Sequence, residues 1–173
     1  ADGVLAVRTL EVSTREVSIG GALNGAAGFG QGRFNASLRD VGVLTDQISG
    51  PVRATGSASL DENGTWGIDA NGTGPGGLAA RIAGDLRQDG NLAINVDGSA
   101  PLALANAAID PRRLSGLANF DLSINGPPAL SSLTGEVTFS DGRLAAPTLG
   151  EALTDLSGQI RMANGTAQID LRT

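Results

Sequence analysis

The sequence predicts an all-β fold, one long curled sheet of antiparallel or mixed strands, and three observations carry that prediction. Apolar and polar residues alternate with period two over nearly the whole chain, Asn-Gly and Asp-Gly pairs punctuate the alternation, and glycine-bearing triplets recur at the starts of alternating runs. Successive strand side chains point to opposite faces, so a period of two marks a strand with one face buried or otherwise covered.

The elements follow in chain order. Val17, Ile19 and Leu23 share one face, then Phe34, Ala36 and Leu38, then Trp66, Ile68 and Ala70. Leu78, Ala80 and Ile82 come next, followed by Leu92, Ile94 and Val96. The clearest run puts Phe120, Leu122 and Ile124 opposite Asn119, Asp121, Ser123 and Asn125. Leu133, Val137 and Phe139 repeat it, then Ile160 and Met162, then Ala167, Ile169 and Leu171. Helical spacing does not compete over a comparable length.

Asn24-Gly25, Asn63-Gly64, Asn71-Gly72, Asp89-Gly90, Asp141-Gly142 and Asn164-Gly165 read as hairpin turns, because both residues of each pair tolerate positive φ. Gly74-Pro-Gly-Gly77 and Gly126-Pro-Pro128 read as loops dividing a single β segment, 1–173, into strand batches at 1–73, 78–126 and 129–173. Ile48-Ser-Gly50, Leu114-Ser-Gly116, Leu133-Thr-Gly135 and Leu156-Ser-Gly158 each launch a strand, and their glycines permit bends or bulges that would curl the sheet. Residues 100–113 and 148–156 resist the strand pattern and read as irregular or short-helical. Leu149, Leu153 and Leu156 fit a helix by their spacing.

Composition narrows the chemistry. The 173 residues include no Cys, His or Tyr, and all 12 cationic side chains are Arg. Disulfides, thiolate metal sites and the commonest general base are therefore excluded. A net charge of −6, with no basic cluster beyond Arg112-Arg113, argues against nucleic acid as a partner. No stretch of about 18 apolar residues is present, so no helix spans a bilayer. Asp2-Gly3 and Asp61-Glu-Asn-Gly64 lack the ligand spacing of a calcium loop and read as turns. Asp40, Asp46, Glu62, Asp69 and Asp85 read as a solvated face, and no base stands ready to activate a hydroxyl. The sequence reads as non-enzymatic, without cofactor or metal. The run stops at Thr173 inside a strand pattern, as expected of a piece of a larger protein.

An apolar sheet face must be covered. It closes into a sandwich, or it lines a U-shaped trough whose apolar area far exceeds what a soluble monomer exposes. A trough makes sense if it holds lipid tails, since moving a sixteen-carbon chain through water costs about 12 kcal/mol at ~0.8 kcal/mol per methylene. The candidate lining residues are Phe34, Leu38, Trp66, Ile68, Ile82, Ile94, Val96, Phe120, Leu122, Ile124, Val137, Phe139, Ile160, Met162, Ile169 and Leu171.

Pro101-Leu-Ala-Leu104, Leu114-Ser-Gly-Leu-Ala-Asn-Phe-Asp-Leu-Ser-Ile-Asn-Gly-Pro-Pro128, Leu133-Thr-Gly-Glu-Val-Thr-Phe-Ser-Asp-Gly142 and Leu156-Ser-Gly-Gln-Ile160 follow one another. This rhythm resembles the TamB family (translocation and assembly module) and, more distantly, the AsmA-like, bridge-like lipid transport proteins. The resemblance covers the last ~75 residues closely and the first 100 in style. It implies a β-taco, a curled sheet enclosing an apolar groove. It also implies a periplasmic location in a double-membraned bacterium, with an inner-membrane anchor absent from this chain and an Omp85-type outer-membrane partner. The cargo it implies is phospholipid acyl chains or outer-membrane protein clients, for outer-membrane biogenesis. The competing reading is a structural, adhesin-like β-solenoid with a dry core, and an enzyme on a β-scaffold ranks last.

Overall fold

The computed structural model describes residues 4–14, 16–26, 29–43, 48–146 and 151–173. Among the described residues eleven strands form one sheet in strict chain order. They are β1 (Val4–Ser13), β2 (Val17–Ala26), β3 (Phe29–Leu38), β4 (Val52–Leu60), β5 (Trp66–Thr73), β6 (Ala79–Leu86), β7 (Leu92–Pro101), β8 (Arg113–Gly126), β9 (Leu133–Ala146), β10 (Glu151–Ala163) and β11 (Thr166–Arg172). β1 and β11 stand at opposite edges, so the sheet is not closed. Every pairing is antiparallel, which removes the mixed alternative. Each strand pairs directly with the next in the chain, whereas parallel neighbours need a crossover connection between them.

The turns confirm half of the Asn-Gly and Asp-Gly assignments. Asn63-Gly64 and Asp89-Gly90 close hairpins of one design. The Asp61 N–H donates to the Thr65 carbonyl at 3.0 Å and the Arg87 N–H to that of Asn91 at 2.9 Å. Asp61 Oδ1 accepts the N–H groups of Asn63 and Thr65, so this acidic loop is a side-chain-braced turn. At Asn164-Gly165 both residues have positive φ, 52° and 73°, as a two-residue hairpin requires. The other three pairs are not turns. Asn24-Gly25 and Asn71-Gly72 lie inside β2 and β5, where their partners on both sides hold them extended. Asp141-Gly142 sits in β9 at a register shift, with Asp141 at φ 55°.

Within the 100–113 segment expected to be irregular or short-helical, Leu102–Ala105 form a 3₁₀ turn and Asn106–Ile109 a short helix, α1, while residues 100–101 belong to β7 and Arg113 to β8. The helical expectation for 148–156 is corrected. Residues 151–156 belong to β10, and 148–150, Leu149 among them, lie outside the described residues. Leu153 pairs with Leu144 and Leu156 with Gly142, with Asp155 at φ 58° between them. An inserted bulge residue turns a two-residue strand period into a three-residue spacing, which imitates a helix. Asp2 and Asp46 also lie outside the described residues.

Among the described residues no large side chain is fully buried, and those classed as buried are few: Ala70, Ala118, Ser132, Gly142 and Leu156. The accessible surface is 11260 Å², against ~7,800 Å² for a compact chain of the same mass. Among the described residues the strands pack substantially on their sheet neighbours alone, so this is one layer and not a sandwich.

Candidate functional site: the apolar face

The antiparallel register converts local alternation into a continuous surface, its shifts falling outside the central rows. One row crosses all eleven strands: Val12, Ile19, Ala36, Ala54, Gly72, Ala80, Gly98, Phe120, Val137, Ile160 and Ile169. The adjacent row runs Gly21, Phe34, Gly56, Ala70, Ile82, Val96, Leu122, Gly135, Met162 and Ala167. Neither contains a charged or hydrogen-bonding side chain. Ten inter-strand steps of ~4.8 Å make the floor ~48 Å long.

All sixteen candidate lining residues fall on this face. Ile68, Ile94 and Ile124 belong to a third row with Ala58, Gly84 and Leu133. Trp66 pairs with Leu60 and Leu86, Leu38 with Val17 and Val52, and Phe139 with Ala118 and Gly158. Leu171 pairs with Gly158 at the edge. Among the described residues none of these sixteen side chains is fully buried: Trp66 is 48% exposed, Ile82 37%, Ile169 60% and Leu171 59%, and the other twelve are partly covered.

Aromatic residues and glycines are matched across strands. A Cβ at Gly98 would stand 2.8 Å from the Phe120 ring, and one at Gly158 would stand 2.6 Å from the Phe139 ring. Each ring therefore lies down over its neighbour's bare backbone instead of standing up from the face, so Phe side chains add apolar area with little relief. Alternation of apolar side chains picks out Ala36 and Ala80 as face residues, whereas these glycines and Ala54 are not among those it picks out. Their signal was present: each falls in phase with the bulky residues of its own strand.

The opposite face is polar and hydrogen-bonded in the open. Arg81 Nη2 meets Asp69 Oδ2 at 2.8 Å, a contact that raises the Arg81 pKa. Ser123 Oγ bonds Asn95 Oδ1 at 3.0 Å, and Arg161 Nη1 meets Asp170 Oδ2 at 3.4 Å. No group of three or more potential metal ligands gathers among the described residues.

One end of the strands carries the long connections and the other the tight hairpins. At the loop-rich end Asp40 Oδ1 accepts the Gly50 N–H at 2.7 Å and the Gly42 N–H at 2.9 Å. These bonds, Gly50 first, hold its carboxyl below the usual carboxylate range. Asn106 anchors the helical segment at the same end. Its Oδ1 accepts the Leu114 N–H at 2.6 Å and its Nδ2 donates to the Leu114 carbonyl at 3.2 Å. Since β7 ends at Pro101, paired with Leu117, this one side chain supplies what a longer β7 would have supplied to Leu114. Leu102 from the preceding turn approaches Gly116 and Gly142, covering one corner of the sheet beside the buried Ala118 and Leu156.

Comparison of the chain with protein-family models, with curated proteins and with solved structures finds no match.

Proposed function

We propose that this chain is a hydrophobic track that conducts or shields phospholipid acyl chains between the inner and outer membranes of a double-membraned bacterium. The observation that carries this reading is the eleven-residue row, apolar across the described strands and only partly covered by the rest of the described residues. Half the ~30 Å hydrocarbon core of a bilayer is the reach of one tail, so a ~48 Å floor holds about three tails in line. Its side chains offer no hydrogen bonds that would trap a cargo at one position. The resemblance in rhythm to the TamB family supports the periplasmic setting, the Omp85-type partner engaged through another region, and a role in outer-membrane biogenesis. The solenoid reading draws no support from an antiparallel meander in a single layer.

Trp66 is the sole tryptophan and stands half-exposed on the apolar face. Lysophospholipid brominated on its acyl chain is expected to quench its emission in the folded protein, while the unbrominated lipid does not. Emission unchanged by the brominated lipid at saturating concentration contradicts the reading.

A further inference from the structure

The loop-rich end of the sheet contains a second feature, distinct from the apolar floor. Three connections lie side by side there. A Cβ at Gly50 would stand 3.3 Å from Pro75 Cβ, and a Cβ at Gly76 would stand 3.1 Å from Pro101 Cγ. Between them and the helical segment opens a cleft of about 540 Å³, within the ~300–1,000 Å³ typical of small-molecule sites. Ile48, Pro75, Pro101 and Leu104 supply apolar wall, and Asp110 and Arg113 bring opposite charges to the same cleft.

Arg113 Nη2 and Asp110 Oδ1 lie 3.8 Å apart, with both side chains more than half exposed. A solvent-exposed pair at that distance adds little to stability. Both groups keep capacity for a ligand: the guanidinium has donors to spare, and its fork matches phosphate oxygens. The carboxylate keeps free lone pairs for an ammonium. A cation and an anion held side by side in a cleft of mixed polar and apolar lining complement a head group in which phosphate and ammonium also stand side by side.

We propose that this cleft seats the head group of a zwitterionic phospholipid, with Arg113 on the phosphate and Asp110 on the ammonium. The apolar walls take the glycerol end, and the tails continue onto the sheet. The inference rests on the lipid-track reading and adds to it a point of head-group selection at one rim.

The test is an NMR titration of the ¹⁵N-labelled chain with lysophosphatidylethanolamine, lysophosphatidylglycerol of the same acyl chain, and dodecyl maltoside. The zwitterionic probe is expected to shift the amides of Ser49, Gly76 and Ala103 and to bind more tightly than the anionic one. Arg113→Gln should weaken the zwitterionic probe about tenfold, the low end for one lost charge-assisted hydrogen bond. Asp110→Asn should abolish the preference for it over the anionic probe and leave dodecyl maltoside binding unchanged. Arg113→Lys, which keeps the charge and loses the fork, should fall between wild type and Arg113→Gln. Should the Asp110 variant fail to fold, the wild-type preference and the Arg113 series decide. Equal wild-type affinities for the two lysolipids, or an Arg113→Gln variant that binds as wild type, overturn the inference. Shifts confined to Ile94, Val96 and Leu122 would overturn the rim site and leave the lipid track standing. Absence of binding by all three probes removes both.

Discussion

From β2 to β7 the register runs residue for residue without a shift, whereas β8, β9 and β10 fall out of step at Gly116, at Asp141-Gly142 and around Asp155. The regular region has strands of 8 to 10 residues; the irregular one has strands of 13 and 14. The extra length in the second region passes beyond the neighbouring strand ends, and the bulges bend it there. Leu102 packs into that bend, and Ala118 and Leu156 are buried beside it. Strict alternation thus yields a wide open face, and breaking the alternation yields local closure.

The largest expected effect contrasts two glycines. Gly135 in β9 has φ 126°, and a Cβ there would run into the Asp121 carbonyl and stand 2.9 Å from Leu122 Cα. Gly72 in β5 has no such φ, and its Cβ would meet nothing closer than 3.5 Å. Gly135→Ala is expected to cost about 3–5 kcal/mol through strain and overlap. Gly72→Ala should stay within ~0.5 kcal/mol of wild type, or gain slightly, by stiffening the unfolded chain. Urea midpoints check both.

Next comes the contrast between faces. Leu122→Asp places a charge beneath the bound tails and should lower affinity for a fluorescent fatty acid more than tenfold, because the buried charge has no partner. Ser123→Asp, one residue along on the polar face, should bind as wild type. Equal losses in the two folded variants would dissolve the distinction between the faces.

A smaller effect separates the clamped corner from the open sheet. Asn106→Ala strands the Leu114 N–H and carbonyl and should cost about 1–2 kcal/mol. Faster hydrogen exchange at Leu114, with the Ile94 amide unchanged, is the signature. The mildest prediction concerns pH. The Asp40 carboxyl has its pKa lowered in the folded state from an ordinary 3.8, so its contribution is present above that value. It is lost as pH falls through the lowered one. The Gly50 amide should therefore lose exchange protection on acidification in wild type, and Asp40→Asn should flatten that dependence.

What the sequence made legible follows from these differences. Alternation reads one strand at a time, so Phe120, Leu122 and Ile124 were assignable to one face without any partner. Their alignment with Val96, Ile82 and Phe34 into rows depends on hairpin lengths that composition does not specify. Asn71-Gly72 and Asn24-Gly25 were misread as turns because the dipeptide tolerates positive φ without demanding it. Leu153 and Leu156 looked helical because a bulge and a helix both produce a spacing of three. The rim cleft was invisible for another reason: Ile48, Pro75, Pro101 and Arg113 meet only because three connections emerge at the same end of an antiparallel sheet.

The most direct test places a photoreactive residue at position 120 or, in a second protein, at position 121, and illuminates each with phospholipid vesicles. Phe120 lies in the eleven-residue row, and Asp121 points to the opposite face. Lipid adducts at 120 and none at 121, read by mass spectrometry on folded protein, are the predicted result. Equal labelling at both positions, or none at either, would contradict the claim that this face carries lipid.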